Sequence, residues 1–241
     1  MNPTVFGPEH CIYMAVSLLS AVILCICVKK YIKSENAQAL FFRCAGGILF
    51  LVIFSNRMAL VFEYGEANWL KLLPDSFCSA SSFVLALALL LGKKDNPVLH
   101  FVWLISLAGG TITTFYSDFI GQNPSFLYPP TILGMLHHTL SAVTVLLLLL
   151  TGYLRISGKM WYTSLVGMVA YFSYGAFLYF VLDFGNPFYM VSPALPGTIF
   201  TAWGLLPIYF IVYSAILWIT EQLRHRQKTA GALQSGNFPQ T

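Results

Sequence analysis

The chain has 241 residues, of which 57% are hydrophobic, 16% aromatic and only 9% charged. Soluble domains carry about 25% charged residues, so there is too little polar surface to clothe a water-soluble fold of this size, and the composition belongs to the membrane class. A net charge of +4 then matters less as a sum than by its distribution along the chain.

Met1 to His10 contains no Lys or Arg and the first apolar run is of full spanning length, so it reads as a retained helix and not as a secretory signal. Seven apolar segments follow in order: 11–28, 39–62, 69–91, 98–116, 131–151, 160–182 and 199–220. Each approaches the roughly 20 residues that cross a bilayer as a helix. With no water inside the bilayer to satisfy free backbone groups, such runs must be helical. The expected fold is all-α: a polytopic membrane protein with seven transmembrane helices over 1–220. The segment 221–241 mixes Gly, Gln, Ser and Pro without apolar periodicity and reads as a disordered cytoplasmic tail.

Ten of the thirteen Lys and Arg fall in alternate loops, at Lys29–Lys33, Lys93–Lys94, Arg155–Lys159 and Arg224–Lys228; the opposite loops hold only Lys71. The positive-inside rule therefore places the N-terminus outside and the C-terminus in the cytoplasm. Five cysteines without a CxxC pair indicate neither a zinc cluster nor a disulfide framework.

Ionisable groups inside a span cost on the order of 2.5–3.5 kcal/mol each on insertion scales, which makes each a candidate for function. At about 1.5 Å per residue from the outer segment ends, Arg57 lies roughly 8 Å deep, Asp75 roughly 9 Å, His137 and His138 roughly 9–10 Å and Cys78 roughly 13 Å. His10 caps the first helix at the same side, whereas Arg43 and His100 lie towards the other. In the third segment Asp75, Cys78, Ser79 and Ser82 share one helical stripe, and Pro74 above them predicts a kink or break. In the fifth, His137 shares its face with Ser141 and Thr144; His138 lies with Gly134 and Ala142, small residues that admit a neighbouring helix. The plainer readings are that Cys78, like Cys11, Cys25, Cys27 and Cys44, is an apolar filler, and that Arg57 snorkels to the headgroups. Trp69, Trp161 and Trp218 sit where interfacial anchors do.

Phe6-Gly7-Pro8-Glu9-His10 before the first span, Pro74-x-x-x-Cys78 in the third, the His137-His138 pair in the fifth, and Asn186 followed by Tyr189 after the sixth together resemble the YwaF family, from about Phe6 to about Trp218. That is a mostly bacterial group of integral membrane proteins, which implies a bacterial plasma membrane. It is similar to a eukaryotic transmembrane acyltransferase group that remodels ether phospholipids, and distantly to the androgen-induced membrane hydrolases. The resemblance implies Cys78 as nucleophile and His137 or His138 as base. Family members often carry a His two residues before the Cys; here that position is Ser76.

A thiol buried among apolar groups is inert unless a base or cation stands beside it, and His137 and Arg57 are the candidates. A Cys-His pair can take an acyl group from a lipid ester as a thioester and pass it to a hydroxyl or to water. Asp75 or Asp118 could orient the imidazole or balance Arg57, and Ser79 or Ser82 could serve the oxyanion. His10, Arg57, Asp75, Ser79 and Ser82 are thus the expected substrate-binding residues. Neither metal nor cofactor is expected, and the expected partners are membrane lipids and not nucleic acid. The same polar layer would equally serve a ligand-binding or transport protein, or a scaffold in which polar groups only join helices. Against transport, the spans lack Pro- or Gly-broken helices in matching halves.

Overall fold

The computed structural model describes residues 5–63, 65–117, 125–195 and 197–234, with side chains as far as 227. Seven α-helices and no strand occur among them: α1 Pro8–Tyr31, α2 Glu35–Val61, α3 Phe77–Leu91, α4 Pro97–Phe115, α5 Pro129–Leu150, α6 Trp161–Phe180 and α7 Ala202–Gln234. The chain is an integral membrane protein: six of these helices are long and apolar enough to cross a bilayer, and α3 is a shorter apolar helix. Local sequence sets several of the boundaries. Pro8, Pro97 and Pro129 open α1, α4 and α5 at the position where a missing N–H costs nothing. Asn96 caps α4 by accepting from the Val98 and Leu99 N–H groups.

The third span departs from a continuous helix. Trp69–Leu72 forms a 3-10 turn, the chain breaks at Pro74, and α3 starts only at Phe77, where Ser76 and Ser79 form a reciprocal cap. Its fifteen residues cover about 22 Å at the helical rise, less than the roughly 30 Å of a bilayer core. Polar side chains and free backbone groups therefore lie at the broken end. Asp75 precedes the cap and is not on the α3 stripe, and Cys78 is the second helical residue, so counting its depth along an unbroken helix from Trp69 does not hold.

Helices α2, α3, α4 and α5 pack on one another as the centre, with α1 against α5 and α6 against α4. Small residues permit the closest approach. A Cβ on Gly46 of α2 would sit 2.8 Å from Leu89 Cβ and 2.9 Å from the Ala86 carbonyl of α3, the kind of contact that drives helix association where lipid is as apolar as the core. Ile12, Leu18, Leu19 and Ile23 of α1 are exposed, as a lipid-facing helix requires. Helix α7 is tied to α6 by the Ser164–Tyr209 hydroxyl pair at 2.6 Å. It runs on to Gln234, past Glu221, where composition alone suggests an unstructured tail. Glu221 both pairs with Arg224 at 3.0 Å and accepts from the Gly158 N–H, which holds the start of that extension; residues 235–241 lie outside the described residues.

Candidate functional site

The C-terminal end of α2, the broken start of α3 and the N-terminal half of α5 enclose a polar cavity of about 390 Å³, walled by Arg57, Asp75, Ser79, His137 and His138 among others. Asn56 of α2 fixes one wall by donating to the Pro130 carbonyl at the start of α5, 2.9 Å. Arg57 is 5% exposed and donates from Nη1 to Asp75 Oδ1 at 3.0 Å and to the Leu73 carbonyl at 3.4 Å. It therefore closes an ion pair across the Pro74 break and does not snorkel. Asp75 balances Arg57, and Asp118, the other acid considered, lies outside the described residues.

A second cavity, of about 470 Å³ and lined mostly by apolar groups, adjoins the first. Ser76, His138 and Tyr189 belong to both walls, and Cys78 lines the second. The helical phase of α3 explains the split: Ser79 faces the polar cavity, Cys78 faces α4, and Ser82 lies between them towards α5. Ser82 Oγ is hydrogen-bonded to His137 Nδ1 at 3.3 Å and to Ser141 Oγ at 2.8 Å, so it is a buried support for His137 and does not line either cavity. The two imidazoles lie together with ring centroids 4.1 Å apart. Among the described residues no hydrogen bond joins either imidazole to the Cys78 thiol; what Cys78 and His138 share is a cavity wall.

Gly109-Gly110 on α4 makes that sharing possible. A Cβ on Gly109 would stand 2.6 Å from Cys78 Sγ, and one on Gly110 would stand 2.4 Å from the His138 carbonyl oxygen. The pair lets α3 and α5 close on α4 from both sides. Nothing in the periodicity of the fourth segment marks these glycines as site residues, because the signal lies in contacts across helices.

The chain belongs to the TMEM164 family. The family model matches residues 5–221. No curated protein matches the chain, and no solved structure does. The match gives a transmembrane protein family over nearly the whole sequence, under the TMEM164 name and not the YwaF name to which the motifs point.

The other motif residues acquire physical roles in this TMEM164-family chain. Asn186 staples the turn after α6: its side-chain amide donates to the Ser192 carbonyl and hydroxyl, and its oxygen accepts from the Val191 and Ser192 N–H groups. The staple holds Phe188 and Tyr189 at φ of 53° and 57°, a left-handed conformation costing about 1–2 kcal/mol per residue. Phe188 donates its N–H to the Asp75 carbonyl at 2.7 Å and buries its ring against Phe77. Tyr189 is thereby set at the junction of the two cavities. Burial, with the Cys78 and Asp75 charges adding to it, pushes the Tyr189 hydroxyl up to about 12, so it stays protonated and can donate at neutral pH.

His10 is not brought to this site. It is 1% exposed, accepts from the Phe6 N–H at Nδ1 and donates from Nε2 to the Thr114 carbonyl, both at 3.0 Å. It ties α1 to the end of α4. The residues that the sequence reading misses as site residues are Lys71 and Tyr189 in the cavity walls and the glycine pair behind them.

Proposed function

We propose that this protein transfers an acyl group of a membrane lipid through Cys78, with His138 as the proton carrier. The observation that carries this reading is the junction itself: a polar cavity and an apolar cavity within the helical bundle share His138 and Tyr189, and the thiol stands on the apolar side. An amphiphile fits such a pair with its headgroup in the first and a chain in the second. The apolar cavity also shares Phe77, Gly109, Ile112, Leu205 and Ile208 with a groove between α4, α6 and α7, a route for the chain from the bilayer. By the distribution of Lys and Arg, the polar cavity opens on the outer side.

In the proposed step the Cys78 sulfur attacks the ester carbonyl carbon while its proton passes to His138. The C–O bond breaks and the leaving alkoxide takes that proton, which gives a thioester and a lysolipid. A hydroxyl of a second lysolipid, or water, then attacks the thioester carbon; the C–S bond breaks and the displaced proton returns to sulfur by way of the imidazole. The Tyr189 hydroxyl is placed to donate to the oxyanion. His138 is assigned in preference to His137 because it walls both cavities, whereas His137 Nδ1 is engaged with Ser82.

The test is transfer of a mass-labelled acyl chain from phospholipid to lysophospholipid by the purified protein. Cys78→Ala is expected to reduce it to background, and His138→Ala to lower it by about 10²- to 10⁴-fold, the range for a group that moves a proton in the rate-limiting step. Full activity in a folded Cys78→Ala protein sinks the reading and leaves a lipid-binding protein.

A further inference from the structure

Within the polar cavity one cation is conspicuously under-used. Arg57 commits Nη1 to Asp75 and to the Leu73 carbonyl, but among the described residues no hydrogen-bond partner is found for its buried Nε or for Nη2. A guanidinium presents five donors in a planar fork, and its Nε and Nη2 edge matches two oxygens of a phosphate. Leaving buried charged donors unmade is costly, and Arg57 is a wall residue of this cavity, so a ligand lodged there is the group that can complete them. Other donors converge on the same space. Lys71 and His138 line it, as does Tyr189, whose hydroxyl makes no hydrogen bond among the described residues. Asn186 also lines it, but its amide is spent on the turn.

Formal charge narrows the ligand. The wall holds two cations, Arg57 and Lys71, and two carboxylates, Asp75 and Glu63. A balanced wall tolerates one added negative charge far better than two, which favours a phosphodiester over a phosphate monoester. The apolar cavity on the far side of His138 supplies a place for hydrocarbon joined to that phosphodiester.

We infer that the polar cavity is a phosphodiester subsite in which the free edge of Arg57 anchors the headgroup phosphate of a membrane phospholipid. The inference takes from the proposed function the lodging of a lipid across the two cavities, but nothing in it requires Cys78 to react.

Binding is measured by tryptophan fluorescence on the purified protein in detergent, carrying Cys78→Ser to prevent turnover. The probes are a dioctanoyl phospholipid, the matching dioctanoyl glycerol without phosphate, and inorganic phosphate alone. The phospholipid is expected to bind about tenfold or more tighter than the glycerol, as a charge-assisted paired contact allows, and inorganic phosphate to bind poorly. Because Arg57→Gln alone strands Asp75, the decisive variant is Arg57→Gln with Asp75→Asn, which keeps the wall uncharged there. It is expected to bring phospholipid affinity down to that of the glycerol with glycerol binding unchanged. Should that pair fail to fold, Arg57→Lys keeps the charge and loses the fork, and is expected to lose most of the phospholipid preference. A preference that survives in either variant overturns the inference, and inorganic phosphate binding as tightly as the phospholipid overturns the lipid assignment. Acyl transfer lost in Cys78→Ala with the phosphate preference intact speaks to the thiol, not to this subsite; preference lost in Arg57→Gln with Asp75→Asn, while the same pair of changes with Cys78 restored still becomes acylated, speaks to Arg57 alone.

Discussion

The two ends of the helical bundle handle charge in opposite ways. At the lysine-rich end the charged groups are exposed or fully employed. Lys94 pairs with Glu35 at 2.8 Å, and Asp95 accepts from His100 at 3.0 Å and from the Arg155 N–H at 2.8 Å. Arg224 donates to Glu221 and to the Ile156 carbonyl. At the opposite end Arg57 is buried, half committed and set in a cavity wall with two histidines. Two buried histidines make the contrast plain: His100 has a carboxylate partner, whereas no hydrogen bond to the His138 ring is found among the described residues. Paired charges at loop ends fix helices in register. Around the cavity Arg57 keeps its Asp75 partner but has donors to spare.

Substitutions at the two ends are expected to act differently. Gly110→Val is expected to have the largest effect. It drives a branched side chain into the His138 carbonyl, a backbone clash costing about 1–3 kcal/mol or more, and the protein is expected to lose both melting temperature and acyl transfer. Tyr189→Phe is expected to cut transfer by about 10²-fold, the scale of removing one oxyanion donor, with the fold intact by circular dichroism. The folded Tyr189 is raised above its ordinary value, so the protonated form is favoured; its donor role is present through neutral pH and lost only as pH rises towards about 12. A break in the pH–rate profile that disappears in Tyr189→Phe and lies below pH 9 contradicts that role.

Smaller effects follow. His137→Ala is expected to slow transfer by about tenfold, well short of losing the proton-carrying group, because His137 acts by bracing His138 and Ser82; a loss equal to that of His138→Ala reverses the assignment. His100→Ala is expected to cost about 1–3 kcal/mol for the buried hydrogen bond, read as a lower melting temperature, with transfer per folded molecule unchanged. Glu35→Ala is expected to change neither, since its carboxylate is 83% exposed and exposed pairs contribute little.

Hydropathy made the bundle legible, because a bilayer leaves a long apolar run no alternative to helix. The broken third span was legible in kind from Pro74 but not in geometry. Asp75 falls outside α3, and Cys78 and Ser79, adjacent in sequence, face different cavities once the helix starts at Phe77. Arg57, His137 and His138 could be grouped by depth alone, whereas Asp75 reaches them through its ion pair with Arg57 and not at the depth an unbroken third helix implies. His10 could not be separated from them that way, since its partners are backbone groups at Phe6 and Thr114 that no periodicity reveals. The same limit hid Gly109-Gly110 and the left-handed turn at Tyr189, whose roles exist only once α3, α4 and α5 meet.

Whether Cys78 carries an acyl group is read by intact-protein mass spectrometry. After incubation of the purified protein with a phospholipid bearing one defined acyl chain and no acceptor, the mass is expected to rise by that acyl group at Cys78. The adduct is expected to be released by neutral hydroxylamine and to be absent in Cys78→Ala. An unmodified thiol under conditions in which the same preparation transfers acyl chains would contradict that role for Cys78.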